Sequence, residues 1–440
     1  MSERIVSGFS RWTREEKRAW INRTSGTGSA SEEDPLDLFT ISNPQVRETL
    51  DAFSENTLGY FALPYGVAPN FLINGQTFTI PMVTEESSVV AAAASAAKFW
   101  LERGGFHTQI LSTTKVGQLF FHWSGPFDRL QAFFPDMEAK LLAESQHLGA
   151  NMTKRGGGVS GMELLACPEA GEGWFQIRVQ FLTSDSMGAN FINSHLESFA
   201  RSLAEFFSHR DDIPQAQRKA DVLLAILSNY TPECLVSAEV SCPVADLSGV
   251  YREMQAEVFA ERFWQAVHIA ETDVWRATTH NKGIFNGVDA VVLATGNDFR
   301  AVEAAGHAFA ARDGRYRSLS TCSLEEGQFR FGLTLPLAVG TVGGITGLHP
   351  LARKSLAILG QPNAGQLMEI IAAVGLAQNF AAVRSLVTSG IQEGHMRMHL
   401  INMLVHLQAS SAEKEKAQAH FSREPVSFAA VQTYLENLRS

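Results

Sequence analysis

Cysteine is scarce: four in 440 residues, Cys167, Cys234, Cys242 and Cys322. No two of them form a C-x-x-C pair, so zinc-site and thioredoxin-like readings find no support. So few over so long a chain fits a reducing compartment. Basic charge is also short, with 36 Lys and Arg against 46 Asp and Glu and a net charge of −10. A general nucleic-acid role needs a basic footprint and is not expected. The longest apolar run, Val89 to Ala97 interrupted by Ser95, falls far short of the roughly 20 residues that cross a bilayer. The opening MSERIVSGFSRW lacks the apolar core of a signal peptide. These absences predict a soluble cytoplasmic protein with no membrane partner.

What is present is ordinary globular composition, 45% hydrophobic and 19% charged, with apolar surface enough for a sizeable core. The length suggests two or three domains. Thr13-Arg14-Glu15-Glu16 reads as a capping box opening a short helix. Residues 24–37 are small, polar and acidic and read as a flexible loop. A strand over Thr77 to Val83 follows the turn at Asn74-Gly75, and an Ala-rich helix begins near Glu86.

After Gly104-Gly105 the texture changes. Strand runs (VGQLFFHW, WFQIRVQFL) and helical stretches (DRLQAFFPDMEAKLLAESQ, NFINSHLESFARSLAEFF) occupy residues 107–228. That order suits a small inserted α/β domain of ferredoxin-like type. Beyond Tyr230 the pattern predicts a strand (LVSAEVSCPV), a helix over 250–271, and a strand-to-helix switch from AVVLAT through GND to FRAVEAAGHAFAAR. A long helix follows from Gln366 to Leu386, then a helical tail with a charged hinge at SSAEKEKAQ. There is no internal repeat.

Several residues invite two readings. Glu86 has the composition of a carboxylate at a helix N-terminus. Lys282, in HNKG between two Gly-containing turns, has the look of a solvated loop lysine. Asp298, after a β-type run and before a helix, suits an N-cap. His395 and His399 are four apart, yet no third ligand or H-E-x-x-H pattern accompanies them, so no metal is expected. Gly156-Gly157-Gly158 with Gly161 satisfies G-x-G-x-x-G, but it follows a helix and leads into strand-like MELLAC. That is the reverse of a Rossmann site, and the reading is rejected.

Four stretches carry a more specific signal: TEESS at 84–88, RATTHNKGIFNG at 276–287, ATGNDFR at 294–300 and GIQEGHM at 390–396. With ENTLG at 55–59, LPYGVAPNFLING at 63–75, DSMGAN at 185–190, GTVGG at 340–344 and GLAQN at 375–379, the chain resembles the class II (bacterial, soluble) 3-hydroxy-3-methylglutaryl-CoA reductases over nearly its whole length. The resemblance implies an α+β fold: a large mixed domain around a long central helix, an inserted small ferredoxin-like, non-Rossmann dinucleotide-binding domain, and a helical C-terminal flap. The expected boundaries are 1–111 with 229–391 for the large substrate- and CoA-binding domain, 112–228 for the small one and 392–440 for the flap.

The implied reaction converts 3-hydroxy-3-methylglutaryl-CoA to mevalonate and coenzyme A by two hydride transfers. In it Glu86 is the general acid, Lys282 stabilises the oxyanion, Asp298 hydrogen-bonds both, and flap-borne His395 protonates the departing thiolate. Arg276 matches the residue holding the substrate carboxylate. Ser88, Asn229, Asn286 and Gln378 match polar residues around the substrate, and Arg11 matches a contact to the CoA nucleotide. DSMGAN resembles the dinucleotide motif DAMGAN, which assigns Asp185, Met187, Gly188 and Asn190 to the cofactor. NADH-using members carry an aspartate where Gly149 stands, whereas Lys154 and Arg155 lie nearby, which favours NADPH with NADH as the alternative. The resemblance also implies a homodimer or dimer-based oligomer, and leaves the physiological direction open.

Two other classes compete. A CoA-dependent acyl transferase would need a nucleophilic cysteine with a histidine partner, and Cys322 in STCSLEEG is the one candidate. A non-catalytic CoA-binding protein would be expected to have lost some of the catalytic-type residues.

Overall fold

The computed structural model describes residues 5–25, 34–251, 254–388, 400–421, 424 and 426–439. The capping box at Thr13 forms: Glu16 N–H donates to Thr13 Oγ1 and Thr13 N–H to the Glu16 carboxylate, opening α1 (Arg14–Ser25). Short α2 (Pro35–Leu38), capped by Asp34, and α3 (Pro44–Asp51) follow. Part of the loop expected over 24–37 is therefore helical, because Asp34 before Pro35 supplies a cap and a preset φ. Residues 26–33 lie outside the described residues.

Strands β1 (Tyr65–Ile73) and β2 (Gln76–Val83) pair as a hairpin around Asn74-Gly75, both at positive φ. Next come α4 (Val89–Leu101), β3 (His107–Ile110) and β4 (Lys115–His122). The unit that begins with β4 runs through α5 (Phe127–Thr153), β5 (Gly158–Ala166), β6 (Trp174–Leu182), α6 (Ala189–Ser208) and β7 (Asp221–Leu227). Its four antiparallel strands lie in the order β5-β6-β4-β7. This is the split β-α-β-β-α-β arrangement expected, with its own core around Phe121, Phe181, Phe199 and Phe207. The glycine triplet sits between α5 and β5, so the rejected Rossmann reading stays rejected.

A second four-stranded sheet, β3-β8-β10-β9, is completed by β8 (Leu235–Pro243), β9 (Ser320–Glu325) and β10 (Gln328–Pro336). Around it lie α7 (Ala256–Thr272), α8 (Val274–Ala294), α9 (Phe299–Ala310), α10 (Gly344–Leu348), α11 (Pro350–Ile358) and α12 (Ala364–Val387). By length and composition α12 could cross a membrane, yet 72% of its apolar window is buried inside the fold. It is the central helix, packed on α8, α4, α7 and β8.

Several expectations need correction here. AVVLAT is not a strand but the last part of α8, and HNKG lies inside the same helix rather than between turns. A short apolar run buried on every side carries no period that separates helix from strand. The glycines serve close packing. A Cβ on Gly287 would lie 2.8 Å from Gln378 Cβ and 2.9 Å from Val374 O on α12, and one on Gly375 would lie 2.8 Å from Val288. The predicted helix over 250–271 starts only at Ala256. The charged segment read as a hinge is α13 (Ser411–His420), with a Ser410/Glu413 capping box. With residues 400–406 and α14 (Phe428–Arg439), it closes a small third core around Leu404, Ala417 and Val431.

Candidate active site

Glu86 and Lys282 are 196 residues apart in the chain, yet Lys282 Nζ donates to Glu86 Oε2 at 2.7 Å. Glu86 stands three residues before α4, in a turn where its N–H donates to Thr84 Oγ1. It is thus not part of a helix start as expected. Ser88 follows in left-handed backbone at φ 76°, at the N-cap position but without a side-chain cap bond. Lys282 projects from the middle of α8, with Asn286 one turn on along the same face. Both members of the pair reach solvent, Lys282 61% exposed and Glu86 35%.

Arg276, in the first turn of α8, donates its backbone N–H to the N-cap Asp273. Its guanidinium makes no ion pair among the described residues, and burial lowers its proton affinity. A half-buried cation without an acid partner suits a bidentate carboxylate ligand.

Asp298 caps α9 through the N–H groups of Arg300 and Ala301, and its two oxygens also grip the Arg300 guanidinium at 3.0 and 2.9 Å. Burial pushes its carboxyl up, but those donors outweigh burial and hold it below the usual range. Its described bonds are all to its own helix start, and the expected bridge to Glu86 and Lys282 is not among them.

Asp298 does share one cleft with the dinucleotide motif. Ser186, Met187, Gly188 and Asn190 line it together with Asn297, Asp298 and Arg300, and Val83, at the end of the strand leading to Glu86, also contributes. Gly188 caps α6 at φ 94° with no side-chain cap bond. A Cβ there would lie 2.4 Å from Thr183 Cγ2, so only glycine fits the turn. The first N–H groups of α6 are left for an anion, which suits a pyrophosphate.

Asp185 does something the sequence did not foretell. Its Oδ1 accepts the N–H of Ala364 at the start of α12, and its carbonyl accepts from Thr341 and Val342. It ties the turn before α6 to the start of α12 and to residues 341–342. Asn297 helps by accepting the Gly340 N–H, and a Cβ on Gly340 would lie 2.4 Å from the Met187 nitrogen.

Lys154, the C-cap of α5, and Arg155 after it are exposed beside this turn. Ser184 Oγ donates to the Arg155 carbonyl at 2.8 Å, and neither cation has an acid partner among the described residues. Gly149 is buried inside α5, where a Cβ would sit 3.4 Å from His195 Nε2.

The remaining assigned residues are dispersed. Asn229 lines a small enclosed cavity with Lys115, Met187, Ala301 and Val302. Gln378 is buried at the α8–α12 crossing, with Oε1 unpartnered among the described residues. Arg11 is exposed in the 3-10 turn Phe9–Arg11 before α1. His395 and His399 lie outside the described residues. No cluster of three or more metal-ligating side chains occurs among those described. Burial drives the Cys322 thiol up to about 12, away from the thiolate that a nucleophile needs.

The family profile described as hydroxymethylglutaryl-coenzyme A reductase matches residues 13–400. A 3-hydroxy-3-methylglutaryl-coenzyme A reductase of Archaeoglobus fulgidus is 33% identical over 96% of both chains. A probable reductase of the same name from Borreliella burgdorferi is 33% identical over 84% of this chain and 82% of its own. Among solved structures, a class II 3-hydroxy-3-methylglutaryl-CoA reductase from Streptococcus pneumoniae bound to NADPH superposes with a TM-score of 0.72 and 36% identity, over 98% of this chain and 100% of that one. A family match over most of the sequence, with a structural likeness over nearly all of it, shows that the chain belongs to the 3-hydroxy-3-methylglutaryl-CoA reductase family.

Proposed function

We propose that Lys282 and Glu86 form the reducing centre for 3-hydroxy-3-methylglutaryl-CoA, and that NADPH, when bound, supplies the hydride for each of two steps. The observation that carries this is the 2.7 Å contact between Lys282 and Glu86, the two residues to which the motif resemblance gives roles at the carbonyl. An ammonium held at that point stabilises the oxyanion as the thioester carbonyl is reduced. Glu86 beside it, when it carries a proton, delivers that proton to the oxygen and is left as the carboxylate that accepts from Lys282. The hemithioacetal then collapses to aldehyde and thiol. His395 is assigned the sulfur proton by the sequence match, an imidazole being suited to that transfer at neutral pH. The aldehyde is reduced in turn to mevalonate.

Arg276 binds the free carboxylate of the substrate, with Ser88, Asn229, Asn286 and Gln378 as the polar surround and Arg11 on the CoA nucleotide. Met187, Gly188 and Asn190 receive the dinucleotide at the start of α6. Lys154 and Arg155 take the 2′-phosphate, which favours NADPH over NADH. The domains divide as 1–111 with 229–391, 112–228 and 392–440. Lys282 is open to solvent in the single chain, whereas an oxyanion donor acts best with water excluded. A second copy covering that face fits the reading of a homodimer acting in the cytoplasm.

The test is a coupled measurement of NADPH loss and thiol release on adding the CoA thioester, with NADH alongside. Two cofactors consumed per thiol, with NADPH the faster, is the expected result. Thiol release without cofactor loss would put the protein among the acyl transferases or hydrolases. Equal or better use of NADH would overturn the assignment of Lys154 and Arg155.

A further inference from the structure

Lys115 lies at the start of β4 and is only 4% exposed. Burying an ammonium is costly unless its donors are satisfied. No carboxylate forms an ion pair with it among the described residues. Its Nζ donates instead to Thr183 Oγ1 and, at 3.0 Å, to the carbonyl of Ser186. Thr183 Oγ1 in turn donates to that same carbonyl at 2.7 Å, and Ser186 returns both its N–H and its Oγ to the Thr183 carbonyl, at 3.0 Å each. The ammonium therefore closes a ring of bonds around the turn that delivers Met187 and Gly188.

Nothing local in the sequence marks Lys115, because its partners lie 68 and 71 residues away. It also looks into the enclosed cavity lined by Met187, Asn229 and Ala301. That cavity backs the start of α9, close to Asp298. From its other side the same turn is held by Asp185, through Ala364, Thr341 and Val342. The turn is thus gripped at two points: by a buried cation of the small domain and by backbone donors of the large domain.

We infer that Lys115 is a positioning residue for NADPH: its buried ammonium fixes the Thr183–Ser186 turn so that Gly188 and the first N–H groups of α6 are already set for the pyrophosphate. The inference rests on the reading of 185–190 as the dinucleotide site. A preset anion site avoids the ordering cost that a loose turn would incur on binding. The charge of Lys115 acts through the turn and touches no reacting atom.

The test compares Lys115→Met, Thr183→Val, the double variant and Asn190→Ala by NADPH fluorescence titration and steady-state kinetics. Methionine fills the volume without a buried charge, so the melting temperature of Lys115→Met should hold or rise. Its Kd and KM for NADPH should increase about tenfold, on the scale of a hydrogen bond to a charged group. The KM for the CoA thioester and kcat at saturating NADPH should stay within about twofold of wild type. Thr183→Val breaks the same ring from its other end, and its effect on NADPH affinity should be less than additive with Lys115→Met. That single variant decides the question if Lys115→Met does not fold. Unchanged NADPH affinity in Lys115→Met and Thr183→Val, with weakened affinity in Asn190→Ala, would sink the inference alone. Unchanged affinity in all of them would sink the reading of 185–190 as the dinucleotide site, and the inference with it.

Discussion

The ammonium of Lys282 meets the carboxylate of Glu86 at 2.7 Å across the gap between a mid-helix position of α8 and the turn before α4. The pair is solvent-facing, so it contributes little to folding. In the proposed reaction its value is chemical, and the two contributions can be separated. Lys282→Ala should lower kcat at least about a hundredfold with both the CoA thioester and free mevaldehyde. The melting temperature should move by only a degree or two, the scale of an exposed pair. A large drop in melting temperature with activity retained would make the pair a structural tie.

Asp298 does two jobs that one substitution divides. Asn caps helices about as well as Asp, so Asp298→Asn should keep α9 and leave stability within about 1 kcal/mol of wild type. Asn lacks the charge that grips Arg300 and that the proposed reaction uses in the neighbouring cleft. Turnover should fall by about two orders of magnitude or more, as read by NADPH oxidation. Wild-type turnover in that variant would reduce Asp298 to a cap.

The pH dependence of stability has two named sources. His280 is buried under α12, with Nε2 2.6 Å from Ser320 Oγ, and burial reinforced by the charge of Arg276 drives it down to about 3. The folded state keeps it neutral. Stability is therefore present above the unfolded value of 6.5 and is lost as pH falls from there towards 3. Asp289 runs the other way: burial and the charge of Glu303 push it up to about 8. Its contribution is full below 3.8 and drains as pH rises through 8. Asp289→Asn should accordingly gain more stability over wild type at pH 8 than at pH 5, as urea unfolding would show. An equal gain at both values would mean that Asp289 is ionised in the fold.

The cysteines give a control on the competing chemistry. Burial holds Cys322 up to about 12 and Cys242 up to about 11, and it also raises Cys167 and Cys234. None is poised as a thiolate. Replacing all four should leave kcat within about twofold, since the proposed hydride route uses no thiol. A loss confined to Cys322→Ser would revive an acyl-enzyme.

Motif content and local pattern determined a good deal. The Thr13 box, the Asn74-Gly75 hairpin, the βαββαβ order of the small domain and the apolar α12 are short-range signals, set by caps, turns and periodicity, and each was legible in the chain. So was membership of the family, because its motifs are short contiguous strings. The sequence misjudged α8, reading AVVLAT as a strand and HNKG as a turn, because the apolar run at its buried end carries no helical period and its glycines look like breaks. Only the tertiary structure decided that Gly287 and Gly375 let α8 and α12 approach, that Lys282 reaches Glu86, and that Asp185 and Lys115 grip the turn before α6. Those are contacts between residues far apart in the chain. The packing of helices and sheets selects such contacts, and local composition carries no trace of them.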